Sequence, residues 1–218
     1  MTFFVGVVSQ KGGVGKSTVC RLLATVYAQN GWHVKIADFD IKQGTCTEWR
    51  RRRDENSVEP TVPVEGFRRV ADAKRISDDY HMIVFDGAPH SSQQTAEIAK
   101  LSDLIILPTG DCIDDRRPTI LLAHELRKLG VPEERIRVAL IKVSGSKSLE
   151  AETRIYFEQA GYTVLEGSIP NKPGYVRTHE TGRSLVESSY ASLRGTAEHF
   201  ATSVVTEINT LMEKQNGR

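Results

Sequence analysis

A glycine- and lysine-rich segment near the start of the chain has the residue types and spacing that bind phosphate. Residues 10–18 read Gln-Lys-Gly-Gly-Val-Gly-Lys-Ser-Thr and follow the apolar run of residues 3–8. In such a segment the glycines let backbone N–H groups close around phosphate oxygens, and the start of the next helix adds partial positive charge. We therefore predict a phosphate-binding loop, with Lys16 at the β- and γ-phosphates and Ser17 at Mg²⁺.

Three acidic residues come at the ends of other predicted strands. Asp38 and Asp40 follow one apolar run, and Asp86 ends the run of residues 81–86. Mg²⁺ prefers carboxylate oxygens and keeps most of its water, so we predict a metal site at Ser17, Asp38 and Asp86. Asp40 is predicted to orient or activate the attacking water, because phosphoryl transfer depends mostly on positioning and charge. For each acid alone, a helix cap or turn residue is the alternative.

Strand and helix patterns alternate along the whole chain. We predict strands over residues 3–8, 33–38, 61–64, 81–86, 104–108 and 137–141, with a short one within 164–169, and helices over residues 17–29, 42–53, 67–77, 92–101, 118–129, 149–160 and 192–214. This alternation indicates an α/β fold with a mostly parallel, twisted sheet and helices on both faces. Ligands of such sheets bind beyond the carboxyl ends of the strands, where the loop and the acids are predicted to lie.

Composition narrows the class of protein further. The 218 residues suit a single domain over 1–218, and the net charge of +1 restricts any nucleic-acid surface to a local patch. Three widely spaced cysteines argue against a metal or disulfide framework. The chain enters a strand directly and contains no apolar run near 20 residues, so we expect a soluble, cytoplasmic protein.

The residues of the loop resemble those of the ParA/MinD group of deviant Walker P-loop ATPases. Residues 11–18 match the loop of that group, and residues 85–89 are similar to its Walker B segment. Residues 38–44 are similar to its D-x-D-P-Q-G segment, with Ile41 in place of proline and Lys42 inserted. The likeness is strongest to small, ParF-like ParA proteins of plasmid partition. Residues 174–188 resemble the corresponding late segment of those proteins. No N-terminal helix-turn-helix domain is expected.

The resemblance implies a role for each loop residue and a set of partners. Lys11 would cross a dimer interface to the partner's nucleotide, and Lys11, Lys16 and Asp40 would serve catalysis. The residues implied to bind ATP are Lys11, Gly12, Gly13, Val14, Gly15, Lys16, Ser17, Thr18 and Pro170. The protein would use ATP and Mg²⁺, form a nucleotide-dependent homodimer, and bind DNA without sequence preference. A ParB/ParG-like centromere-binding adaptor would stimulate hydrolysis, and the protein would be associated with the nucleoid.

Two further points concern base recognition and DNA binding. Lys142 stands where many relatives have an asparagine that reads adenine, which leaves base contact to the backbone around Pro170. The implied DNA-binding residues are the basic residues of the C-terminal half, namely Lys172, Arg177, Arg183 and Arg194. A solvated helix face is the alternative for each of them. For the run Arg50–Arg53 that alternative is preferred, because Asp54 and Glu55 follow and partly neutralise it.

Two other functions stay open on the sequence alone. One is an ATP-switched positioning or scaffold protein for another cargo, such as a protein complex or conjugation machinery. The other is a MinD-like membrane regulator, which we do not expect. The terminal segment of residues 204–214 has helical spacing of apolar residues, but it lacks the basic polar face and the bulky aromatic residues of an interfacial anchor.

Overall fold

The protein folds into a parallel sheet between two layers of helices. The computed structural model describes residues 2–216. The strands are β1 (Phe3–Val7), β2 (Val34–Asp38), β3 (Val64–Gly66), β4 (Met82–Asp86), β5 (Leu104–Thr109), β6 (Ile136–Val143), β7 (Thr163–Val164) and β8 (Ile169–Pro170). The helices are α1 (Lys16–Gln29), α2 (Thr45–Glu55), α3 (Val70–Arg75), α4 (Ser92–Leu101), α5 (Ile113–Lys128), α6 (Lys147–Glu158), α7 (Pro173–Glu180) and α8 (Ala191–Asn216).

The strand order is β3-β2-β4-β1-β5-β6-β7, with β8 beside β6, and the pairings between these strands are parallel. Successive side chains of a strand point to opposite faces. In β4, Val84 packs into a core with α1, α2, α7 and α8, whereas Ile83 and Phe85 pack into a second core with α3 to α6. Because both faces are covered, the central strands are mostly apolar up to their carboxyl ends. The predicted fold class is confirmed.

The register of the sheet brings the predicted site residues to one edge. Asp38 at the end of β2 is paired with Asp86 at the end of β4, and Asp86 is paired with Val7 at the end of β1. The phosphate loop begins directly after β1. Loop and acids therefore meet at the carboxyl edge of three adjacent strands.

Two predicted elements near Asp40 are shifted along the chain. The helix predicted from Lys42 begins at Thr45, because Gly44 adopts left-handed φ and its N–H bonds the Asp40 carbonyl at 2.6 Å. The strand predicted over residues 61–64 lies at Val64–Gly66. There the Pro63 carbonyl still accepts a bond from β2, although proline itself cannot donate one.

Two predicted helices also differ from the structure. The helix predicted over residues 67–77 is only the six residues of α3, followed by a short 3-10 turn over Ser77–Asp79. Helix α5 begins at Ile113, upstream of Pro118. Proline lacks the N–H that would bond the Asp114 carbonyl four residues back, and that carbonyl accepts a bond from the Lys11 side chain instead, at 3.4 Å.

Helix α7 was not predicted, although Pro173 at its first position is a helix-start signal. The C-terminal helix, α8, packs into the first core through Val204 and Ile208, which are fully buried. Within residues 2–216, no helix has both the length and the apolar character needed to cross a bilayer.

Candidate nucleotide site

The phosphate loop connects β1 to α1 and opens into a cleft of about 580 Å³. Gly13 and Gly15 have φ of 77° and 104°, a region that side chains rarely adopt. A Cβ on Gly15 would also lie 2.4 Å from the side chain of Ile141. Helix α1 starts at Lys16, so the N–H groups at its N-terminus face the loop. The backbone of the loop therefore has a shape that can surround an anion.

Lys16 is the buried cation of this cleft. Its side chain is largely buried and its ammonium group donates to the Lys11 carbonyl at 3.3 Å. Burial lowers the pKa of Lys16, and the nearby carboxylates of Asp86 and Asp40 act in the opposite direction. A phosphate in the cleft would stabilise the charged form of Lys16 and give the ammonium group a stronger acceptor.

Asp86 provides a buried carboxylate at the floor of the same cleft. Its Oδ2 accepts a bond from the Cys46 thiol at 3.1 Å, whereas its Oδ1 is buried and has no partner within residues 2–216. Burial raises the pKa of Asp86, although Ser17 and Cys46 favour its ionised form. An unpaired carboxylate oxygen beside a Ser17 hydroxyl fits a hydrated Mg²⁺, which binds through one or two protein oxygens and several waters.

Asp38 holds the loop that carries Asp40. Its Oδ1 accepts the Asp40 N–H at 3.0 Å, and its Oδ2 accepts the N–H groups of Cys46 and Thr47 at 3.1 and 3.2 Å. Burial, together with the neighbouring Asp86, raises the pKa of Asp38 to about 6. Asp40 lines the open cleft. The structure thus brings Asp40 and Asp86 to the cleft, while backbone donors occupy the carboxylate of Asp38.

Lys11 lies at the mouth of the loop and turns away from the cleft of its own chain. Its ammonium group forms an ion pair with Asp115 of α5, and 41% of its side-chain surface is exposed. The hydrogen bond to Asp115 is the main cause of a raised pKa for Lys11. Lys11 is therefore an accessible cation beside the site.

Comparison with known families identifies this arrangement. Residues 5–186 match the model of the CobQ/CobB/MinD/ParA nucleotide binding domain. The chain belongs to the CobQ/CobB/MinD/ParA family of nucleotide-binding domains. The matched segment includes the phosphate loop and both of the acids that reach the cleft.

Solved structures of ParA/MinD proteins share the fold over nearly the whole chain. MinD of Pyrococcus horikoshii, complexed with Mg-ADP, is 18% identical with a TM-score of 0.71, over 94% of this chain and 96% of that one. A putative plasmid partition protein of Borrelia burgdorferi, bound to AMPPNP, is 17% identical with a TM-score of 0.71, over 95% and 100%. Apo McdA of Cyanothece is 16% identical with a TM-score of 0.72, over 94% and 100%.

A curated relative matches a much shorter segment. An iron-sulfur cluster carrier protein of Clostridium perfringens is 57% identical over 37 residues, which are 17% of this chain and 13% of that protein. The chain therefore spans only a small part of this relative.

On the far side of Thr18, a smaller cavity of about 330 Å³ adjoins the phosphate cleft. The two share Thr18 and Lys142, and Pro170 lies in the wall of the smaller one. His179 of α7 also lines it, and both ring nitrogens are buried without a hydrogen-bond partner within residues 2–216. Burial and the nearby positive charge of Arg21 lower the pKa of His179 to about 3. His179 was missed by the sequence analysis, because α7 was not predicted.

The implied DNA-binding residues differ in their ion pairs and hydrogen bonds. Lys172, Arg177 and Arg183 are exposed and form no ion pair within residues 2–216. Arg177 donates to the Tyr190 hydroxyl at 3.2 Å, and the exposed side chains of Val176 and Tyr190 lie on the same surface. Arg194 instead bonds the Ser188 carbonyl at 2.9 Å and faces Glu198. We call Lys172, Val176, Arg177, Arg183 and Tyr190 the α7 surface.

The Arg50–Arg53 run is largely committed to contacts within the protein. Arg51 pairs with Glu48 and Glu55 on the surface of α2. Arg53 is fully buried, and its guanidinium forms two bonds to Glu187, at 2.7 and 2.8 Å. This pair ties α2 to the segment that precedes α8, so the preference against a nucleic-acid role for the run agrees with the contacts.

Proposed function

We propose that the protein hydrolyses ATP with Mg²⁺ in the phosphate cleft. The observation that carries this proposal is the buried Oδ1 of Asp86, which has no hydrogen-bond partner within residues 2–216 and lines the same cleft as Ser17 and the phosphate loop. Lys16 would neutralise the outer phosphates, Mg²⁺ would be held by Ser17 and Asp86, and Asp40 would orient the attacking water. Asp38 would act through the backbone that it holds in place. When bound, the metal supplies charge neutralisation of the phosphates.

We further propose that ATP joins two copies of the chain. Lys11 is exposed at the mouth of the loop, where a facing copy could bring its own nucleotide within reach. Transfer of this ammonium group from Asp115 to a partner's phosphate would exchange an exposed ion pair for a charge-assisted bond in a water-poor interface. The cross-dimer role of Lys11 follows from the family resemblance, and its exposure supports that role.

The α7 surface supports a proposal of non-specific DNA binding. Three cations that form no ion pair within residues 2–216, next to an exposed tyrosine, suit contact with phosphates and stacking on bases. The proposed role is that of a small, ParF-like partition ATPase in the cytoplasm, associated with the nucleoid. A ParB/ParG-like adaptor would stimulate its hydrolysis.

Filter binding of labelled DNA tests this role. We expect retention that requires ATP and that weakens steeply with salt, because each phosphate contact releases counterions. Arg177→Gln should lower both the affinity and the salt dependence. Arg51→Gln removes an equally charged side chain that is paired on α2, and it should bind as the wild type does. Absence of ATP-dependent retention at low salt would remove the DNA role.

A second candidate is the positioning of another cargo by an ATP-switched scaffold. Val176 is 55% exposed and Tyr190 42% exposed on the α7 surface, and apolar side chains there also suit a protein partner. The structures similar to this chain include MinD and McdA as well as a partition protein. A protein that shows ATP-dependent dimerisation without ATP-dependent DNA retention would favour this second candidate.

A further inference from the structure

Lys142 has a backbone conformation that is unusual for its residue type. Its φ is 60°, in the left-handed region, where a long side chain costs roughly 1 kcal/mol. The residue lies near the end of β6, and the pairing of β6 with β8 shifts register between Ile141 and Val143. Such a bulge redirects the side chain of the extra residue, and bulges of this kind are common next to active sites.

The strained turn places the ammonium group of Lys142 over the phosphate loop. Its Nζ donates to the Gly13 carbonyl at 2.7 Å. The residue is exposed, and it lines both the phosphate cleft and the adjoining cavity. A ligand that occupied both spaces would pass directly beside this cation.

Within residues 2–216 no carboxylate forms an ion pair with Lys142, although Asp40 and Asp86 line the same cleft. The hydrogen-bond acceptor of Lys142 is a neutral carbonyl. On the cavity side, the neighbouring His179 has no hydrogen-bond partner for either ring nitrogen. A charged group on the ligand would therefore be the strongest acceptor available to this ammonium group.

We propose that Lys142 is a further nucleotide-binding residue, whose ammonium group exchanges the Gly13 carbonyl for an oxygen of the bound polyphosphate. This inference rests on the proposed nucleotide-binding function. Many relatives have an asparagine that reads adenine at this position. In this chain the Lys142 ammonium group would instead bind the phosphates of the nucleotide. The bulge and the left-handed turn are then the means by which the fold directs that charge to the ligand.

Calorimetric titration with Mg-ADP, at low and high salt, tests the proposal without requiring dimerisation. The variants are Lys142→Met, which keeps the length of the side chain without its charge, and Lys142→Arg, which keeps the charge. Lys128→Met, at the exposed end of α5, is the matched control. Competition by Mg-pyrophosphate, which has no base, is measured against labelled ADP for the wild type and for Lys142→Met.

We expect Lys142→Met to weaken ADP binding roughly ten-fold or more, the cost of one hydrogen bond to a charged group. Pyrophosphate should weaken as well, the salt dependence of ADP binding should fall, and Lys142→Arg should recover most of the affinity. Wild-type affinity of Lys142→Met, or a loss confined to ADP, would overturn the inference. Absence of ADP binding by the wild type would instead refute the proposed function. Equal ADP affinities of the wild type and the Lys16→Ala variant would refute it as well.

Discussion

At the phosphate cleft the chemical groups are held by the backbone around them, whereas on the α7 surface the cations are exposed and depend on distant contacts for their position. Asp38 fixes Asp40 through bonds to residues at most nine positions along the chain. The segment beside Arg183 is held instead by Arg53, whose bonds to Glu187 span 134 positions. The loop that carries Asp40 is thus fixed by local bonds, whereas the segment beside Arg183 is fixed by the tertiary fold.

This difference predicts whether mutations in each region should change the chemistry or the folding of the protein. Substitutions in the cleft should change the chemistry and have a limited effect on the free energy of unfolding. The buried acids of the cleft carry charges of the same sign, which cost the folded state free energy, so their removal relieves that cost. Substitutions under the α7 surface should change folding first. Three experiments separate the regions, in order of expected effect.

Loss of the buried pair under the α7 surface should have the largest effect on stability. Arg53→Met leaves the Glu187 carboxylate without its partner, and breaking a buried ion pair costs about 3–5 kcal/mol. Urea unfolding should show this loss. Arg51→Met, which removes an exposed arginine two positions earlier, should change the free energy of unfolding by less than about 1 kcal/mol. Equal effects of the two variants would contradict a buried clamp.

The imidazole of His179, which lines the smaller cavity beside the phosphate cleft, should make stability depend on pH. The pKa of His179 is about 3 in the folded protein and near 6.5 in an unfolded chain. Below about pH 6.5 the unfolded chain binds a proton that the folded protein does not, so stability falls as pH falls. The loss attributable to His179 is about 2 kcal/mol between about pH 6.5 and pH 5.

Urea unfolding of the wild type and His179→Gln, near pH 7.5 and near pH 5, measures this contribution. The variant should gain about 2 kcal/mol relative to the wild type at the lower pH. His33→Gln, an exposed histidine at the opposite edge of the sheet, should give no such gain. Parallel losses in the wild type and His179→Gln would show that His179 is not the group responsible.

The same contrast explains what could be predicted from the sequence. The meeting of the phosphate loop, Asp40 and Asp86 at one edge of the sheet could be predicted, because each lies at or just after the end of an apolar run and parallel strands bring such ends together. The burial of Arg53 could not be found, because the four arginines look alike until Glu187 is folded against one of them. The start of α5 was misplaced because the Lys11 side chain compensates for Pro118 across 103 positions. Lys142 was noticed as a departure, but only its φ and its contact with Gly13 suggest a role.

The mass of the protein in Mg-ATP tests the central claim most directly. Analytical ultracentrifugation of Asp40→Ala, in which hydrolysis should be blocked, is compared with the double variant that also carries Lys11→Ala. We predict a mass of two chains for Asp40→Ala with ATP and of one chain with ADP. The double variant should remain at one chain with ATP while still binding ADP. A two-chain mass that survives Lys11→Ala, or loss of ADP binding together with dimerisation, would contradict a site completed by the partner's Lys11.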